Sequence, residues 1–329
     1  MQANIEDTVN QVGMVRSAEI AALLEPPNTA QAGATRKKSA KLPSPAAHCE
    51  ATSLAVLRPA WSSRDMLAVD YRGREVRSEL TCGGQVLWAG RCNPRIAIDG
   101  VELLPASDWE NLCWVSDDDA DYLELQLELL GGVRVQRQLL FARQDRFLFA
   151  ADAVLCERPA TIDYGLTLPL ADGVAFLPGE QAREGFLASS GGRRRAQALP
   201  LALSEWRGDA RCGELAGGER GLDLRLTAPT AQALYAPLFI DLSPRRFSLP
   251  VTWRQLTVAE DRLIVSRDVA VGYRVQIGRS QWLFYRSLAE CGNRTLLGQN
   301  LVSEFLAARF GRDGIAEPLM EIEATPDDQ

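Results

Sequence analysis

Asp121-Tyr-Leu-Glu-Leu-Gln-Leu-Glu-Leu129, followed after Leu130-Gly-Gly132 by Val133-Arg-Val-Gln-Arg-Gln-Leu-Leu-Phe141, decides the fold class. Leucines at 123, 125, 127 and 129 share one face of an extended chain, and Glu124, Gln126 and Glu128 share the other. In the second run Val133, Val135, Arg137, Leu139 and Phe141 fall on one face. A two-residue Gly131-Gly132 loop would set Leu127 against Gln136 and mix the faces. A three-residue loop, Leu130 to Gly132, pairs Leu129 with Val133 and Leu127 with Val135, so the apolar faces coincide. A one-residue slip turns every side chain over, so the longer loop is expected.

The next turn, Arg143-Gln-Asp-Arg146, carries the register into a third strand. Phe141 then faces Leu148, Leu139 faces Ala150, Arg137 faces Asp152 and Val135 faces Val154. The two charges on the shared apolar face therefore meet. A charge entering a core needs a hydrogen-bonded partner, which predicts a buried structural ion pair between Arg137 and Asp152.

The same texture runs outward in both directions. Leu67-Ala-Val-Asp-Tyr-Arg72, Gly73 and Glu75-Val-Arg-Ser-Glu-Leu80 read as a hairpin. Ile96-Ala-Ile98 and Val101-Glu-Leu103 flank Asp99-Gly100, the signal for a type I′ turn. Val269, Val271, Tyr273, Val275 and Ile277 alternate with smaller or polar residues as in a strand. The stretch from Gln299 to Arg309 reads as either a short helix or a strand. Residues 51–323 are thus expected to form one large, all-β antiparallel β-sandwich, with a disordered tail over 324–329. Upstream, Ile5, Val9, Val12, Val15, Ile20, Leu23 and Leu24 predict an amphipathic helix within residues 1–25, ended by Pro26-Pro27. An Ala-, Pro-, Ser- and Lys-rich segment follows and reads as a flexible linker over 26–50.

Composition narrows the chemistry. The 329 residues include one histidine, His48, and the only lysines are Lys37, Lys38 and Lys41. A Walker A loop needs a lysine after its glycines and finds none beyond Lys41; no GxGxxG opens a helix either. One histidine excludes multi-histidine zinc sites, and its place at the linker edge argues against a catalytic role, so no cofactor and no metal is expected. The net charge of −7 argues against a nucleic-acid partner. Seven scattered cysteines without a CxxC pair read as reduced thiols. The absence of an apolar run near 20 residues, and of a signal-like amino terminus, predicts a cytoplasmic protein without a membrane span.

Several polar groups compete as ligand sites. Trp282, Phe284, Tyr285 and Arg286, with Asn293, Arg294 and Thr295, combine aromatic and amide groups suited to sugar stacking, or else pack a strand edge. The candidate ligand-binding residues are Trp282, Tyr285, Arg286, Asn293 and Arg294. Asp117-Asp-Asp-Ala-Asp121 reads as an acidic turn or a cation site, and Arg193-Arg-Arg195 as a solvated loop or a grip for a polyanion.

Trp61, Leu67-Ala-Val-Asp-Tyr-Arg-Gly73, Arg137-Gln-Leu-Leu-Phe-Ala-Arg143 and Arg146-Phe-Leu-Phe-Ala-Ala-Asp-Ala-Val154 together resemble the carboxy-terminal β-sandwich of heparinase II/III-type polysaccharide lyases. Asn293-Arg-Thr-Leu-Leu-Gly298 and Ser303-Glu-Phe-Leu306 resemble the endings of uncharacterised bacterial proteins made of that sandwich alone. Those lyases join an α/α toroid to the sandwich and use tyrosine and histidine between the two. This sequence shows no toroid-like helical segment, and residues 51–323 hold no histidine, so no catalytic position carries over. The expectation is a non-catalytic binding or assembly module. Its partner would be a polysaccharide, or a protein engaged by the amino-terminal helix. The alternatives are a lyase-related enzyme using tyrosine and arginine (Tyr71, Tyr122, Tyr164, Tyr235, Tyr273, Tyr285) and an intracellular scaffold.

Overall fold

The computed structural model describes residues 43–208 and 213–323. The expected amino-terminal helix, most of the expected linker, Cys212 and the tail lie outside the described residues. Their regular secondary structure is almost all strand, and among them no helix is long and apolar enough to cross a membrane.

The architecture follows from one broad antiparallel sheet covered on both faces. Its centre runs Gly221–Asp241, Phe147–Leu168, Val133–Ala142, Ala120–Leu129 and Glu110–Ser116, each hydrogen-bonded to the next. Leu129 faces Val133 and Leu127 faces Val135 across the three-residue loop, while Arg137 faces Asp152. On one face Leu123, Leu125, Val135, Leu148 and Ile240 pack against Leu57, Leu67, Leu80 and Trp88 of an amino-terminal sheet. That sheet is ordered Ala47–Cys49, Leu54–Leu57, Met66–Asp70, Arg77–Cys82 and Gln85–Arg91. On the opposite face Tyr122, Phe147, Phe149 and Phe239 pack against Trp253, Val275, Trp282 and Phe284 of a carboxy-terminal sheet. Its order is Val251–Leu256, Ala270–Ile277, Ser280–Ser287, Phe305–Phe310 and Ala316–Ile322. A small sheet of Ala259–Glu260, Leu263–Ile264, Arg294–Leu296 and Gln299–Leu301 lies over the outer side of this last layer, around Tyr285, Leu296 and Leu306.

Two local readings change and one left open is resolved. The linker expected over 26–50 ends earlier: Ala47–Cys49 is a strand whose backbone pairs with Leu54–Val56, because that strand would otherwise present an unpaired edge. The hairpin around Gly73 has a wider loop, with pairing closing at Asp70 and Arg77. Gln299–Leu301 and Phe305–Phe310 are both strands. At Asp99-Gly100 both residues take positive φ, 50° and 81°, as a type I′ turn demands.

Arg137 and Asp152 form a two-pronged pair in the core: Nε and Nη2 each donate to one carboxylate oxygen at 2.7 Å. Nη1 donates to the Cys92 carbonyl, and the Tyr164 hydroxyl donates to the same Asp152 carboxylate, both at 2.7 Å. Trp109 lies 5.5 Å beneath the guanidinium. Each of the three guanidinium nitrogens thereby has an acceptor, which makes a buried charge tolerable. Truncating one partner strands the other. Arg137→Ala should cost about 3–5 kcal/mol in urea unfolding. Arg137→Met combined with Asp152→Leu should cost markedly less; equal losses would show that packing, not the uncompensated charge, sets the cost.

Candidate functional site

The carboxy-terminal sheet buries four of the five residues expected to meet a ligand. Trp282, Tyr285 and Arg286 are each 1% exposed and Arg294 is 2% exposed, while Asn293 lies on the surface. The correction has a physical cause. Strand Ser280–Ser287 is central in its sheet, so its inner residues face the core and its outer residues lie under the small sheet. Arg286 points inward to Glu124, at 2.8 Å, and also meets Glu304 at 2.8 Å and the Gln136 side-chain oxygen at 2.7 Å. Burial works against its charge, but Glu124, Tyr122 and Glu304 outweigh that and hold Arg286 above the ordinary arginine range. Burial likewise raises the Glu304 carboxyl, with Arg286 opposing. Arg294 points outward to the Tyr285 hydroxyl, the Glu290 carbonyl and Glu260, and so pins the small sheet. The Trp282 indole donates to Asp145 at 3.0 Å.

Glu124 therefore does not lie on a solvated face. Tyr122 donates to it, Gln138 donates to Tyr122 and Tyr235 donates to Gln138, a chain of hydrogen bonds running through the second interlayer. Burial raises the phenols of Tyr122 and Tyr235 well above their ordinary value.

His48 is part of the fold. Its Nε2 lies 2.8 Å from the Tyr71 hydroxyl, and its ring packs 5.2 Å from Trp114 on the edge strand of the central sheet. Burial lowers its pKa, with Glu50 opposing. Tyr71 itself is only 2% exposed, and burial raises its phenol.

The carboxylates of the Asp117–Asp121 turn are largely engaged by protein groups. Asp117 accepts the N–H groups of Asp119 and Ala120, and the buried Asp121 pairs with Arg143 at 2.6 Å.

The Arg193–Arg195 segment opens a different surface. Arg194 lies 4.1 Å over the Phe186 ring and donates to the Phe247 carbonyl, and Phe186 meets Phe247 edge-on at 5.6 Å. Arg195 reaches towards Gly83, and Arg64 lies against Gly84. Arg245 sits in the single helical turn just before Phe247. The nearby acids are already matched, Asp65 with Arg146 and Asp241 with Arg246. Among the described residues, Arg64, Arg193, Arg194, Arg195 and Arg245 meet no carboxylate within ion-pair distance. The sequence singled out three of these as a basic run. The other two come from distant loops, and only the fold adds them.

No protein-family model matches the chain, and no curated protein matches it. Among solved structures it is similar to the heparan sulfate lyase HepC from Pedobacter heparinus, with a TM-score of 0.53 at 9% identity, over 75% of this chain and 44% of that one. A heparinase III structure aligns with a TM-score of 0.50 at 8% identity, over 72% of this chain and 42% of the other. The chain has a heparinase-like β-sandwich fold. It spans less than half the length of either lyase. At these identities the likeness is one of fold.

The heparinase-like sandwich contains one described histidine, which allows a clean pH test. A histidine pKa depressed in the folded state means the unfolded chain binds the extra proton first, so stability falls as pH drops below the ordinary value of 6.5. His48→Gln should remove that component. The thermal midpoints of the two proteins should run parallel above pH 6.5 and diverge below it, with the wild type falling faster. A constant difference at all pH values would contradict a proton-linked role.

Proposed function

We propose that this chain is a binding module for acidic polysaccharide, and that the ligand lies along the arginine face of Arg64, Arg193, Arg194, Arg195 and Arg245. The observation that carries this reading is a group of guanidinium side chains without carboxylate partners in a protein whose net charge is −7. Arg194 lies over Phe186 and donates to the Phe247 carbonyl, Arg195 and Arg64 lie by Gly83 and Gly84, and Arg245 is next to the Phe247 turn. Guanidinium forks match carboxylate and sulfate groups in pairs, and the Phe186 and Phe247 rings offer apolar surface between the charges. The fold shared with lyases that act on a sulfated polysaccharide supports the same ligand class.

A second reading, catalysis, is favoured by one specific contact, the His48–Tyr71 hydrogen bond. Tyrosine and histidine are the groups that heparinase-type lyases use to move a proton beside a uronate carboxylate. The burial of Tyr71 weighs against this reading, because its hydroxyl has little room to reach a polymer.

The test uses the full chain with heparin, a uronate polymer and a neutral glucan, and follows both binding and the absorbance of the unsaturated lyase product. Binding to the two acidic polymers should weaken steeply with added salt, and the neutral polymer should bind poorly. Replacing Arg193, Arg194 and Arg195 together by alanine should lower affinity by about tenfold or more, the equivalent of about 1.4 kcal/mol or more. Equal binding by this variant, or salt-independent binding, would rule out the arginine face. Product that forms with the wild type and disappears in His48→Ala and Tyr71→Phe would establish the catalytic reading instead.

A further inference from the structure

A separate site lies between the central and carboxy-terminal sheets. Strand Gly221–Asp241 follows Phe147–Leu168 in register as far as Ala233 opposite Leu155, then shifts to Ala231 opposite Ala160 and again to Ala228 opposite Ile162. Pro229 and Thr230 fall outside the ladder. Proline brings no N–H, and Thr230 holds a φ of 53°, a strained value for a β-branched residue. Bulges bend and twist a strand, and here the two layers part beside it. The opening is a groove of about 470 Å³, within the ordinary size range of small-molecule sites.

Its apolar lining includes Leu203, Leu226, Leu234 and Val271 together with the tyrosines Tyr235 and Tyr273. Two polar groups in it lack protein partners. Gln255, on the edge strand of the carboxy-terminal sheet, faces inward, and its Oε1 is buried with no donor. An unmet buried acceptor is a standing cost that a ligand N–H or O–H removes. Arg267 lines the same groove, is exposed and meets no carboxylate among the described residues. Its neighbour Asp268 also lines the groove, where its carboxylate accepts from the Ser266 hydroxyl and the Gln232 N–H and leaves the Arg267 guanidinium free of it. Thr227 is engaged too, donating to Asp163 at 2.7 Å.

We infer that this groove binds small amphipathic carboxylic acids that carry an N–H or O–H donor beside the acid group. The carboxylate meets Arg267, the donor meets Gln255 Oε1, and an apolar body of leucine or phenylalanine size covers the floor. The site is distinct from the arginine face, and it stands or falls independently of polysaccharide binding.

Three probes separate the contributions. N-acetyl-leucine has the acid, the donor and the apolar chain; N-acetyl-leucine amide lacks the charge; 4-methylpentanoate lacks the donor. Titration calorimetry on the full chain, with amide-proton shifts at Val271 and Tyr273 to locate binding, should rank N-acetyl-leucine about tenfold above each of the others. Arg267→Ala should abolish the preference over the amide while leaving the preference over 4-methylpentanoate. Gln255→Met should do the reverse. Equal binding of the three probes, shifts outside the groove, or preferences unchanged in both variants would overturn the assignment.

Discussion

A sheet covered on both faces leaves no side on which a charge can stay in water. The central sheet of this protein is such a sheet, and its two interlayers each carry one arginine–carboxylate centre. On the amino-terminal side Arg137 grips Asp152 with two nitrogens, and Tyr164 and the Cys92 carbonyl complete the set. On the carboxy-terminal side Arg286 serves both Glu124 and Glu304, and Glu124 anchors the hydrogen-bonded run through Tyr122 and Gln138 to Tyr235. Arg286 ties the carboxy-terminal sheet to Glu124 of the central sheet, and Arg137 ties two neighbouring central strands to the Cys92 carbonyl, while the surrounding leucines and phenylalanines supply most of the burial free energy.

The same arginine chemistry ties the rim together. Arg309 joins Asp119 and Asp145, Arg143 joins Asp121, and Arg246 joins Asp241 and two carbonyls of the turn after Ala142. A planar fork can satisfy several acceptors at once, which suits places where loops from different layers converge. Every described basic residue apart from His48 is arginine, and no described lysine takes part in these contacts. The arginines around Phe186 and Phe247 are used differently, since they meet no carboxylate among the described residues.

Much of the fold was legible in the sequence. Alternation over residues 121–154, combined with the rule that a one-residue slip inverts a strand, reached the register and the Arg137–Asp152 pair without any coordinates. The alternation placed Glu124, Gln126 and Glu128 together on one face, and that face is covered, with Glu124 buried and Gln126 and Glu128 half-buried. Alternation distinguishes one face from the other, but it does not say whether the polar face meets water or another sheet with an answering charge. Glu124 is 3% exposed because Arg286, more than 160 residues later, arrives opposite it. For the same reason Trp282, Tyr285, Arg286 and Arg294, which the sequence left between a sugar platform and strand packing, are buried as packing and clamping residues.

By itself, the sequence determined the all-β class, the pairing around residues 121–154 and the inventory of reactive groups, because these depend on local periodicity and on counting. Tertiary structure alone decided where the single histidine went, which arginines were left without partners, and that a groove opens beside Pro229 and Thr230. These depend on contacts between segments far apart in the chain. Local pattern carries no information about which distant side chain will arrive to neutralise a charge or fill a gap.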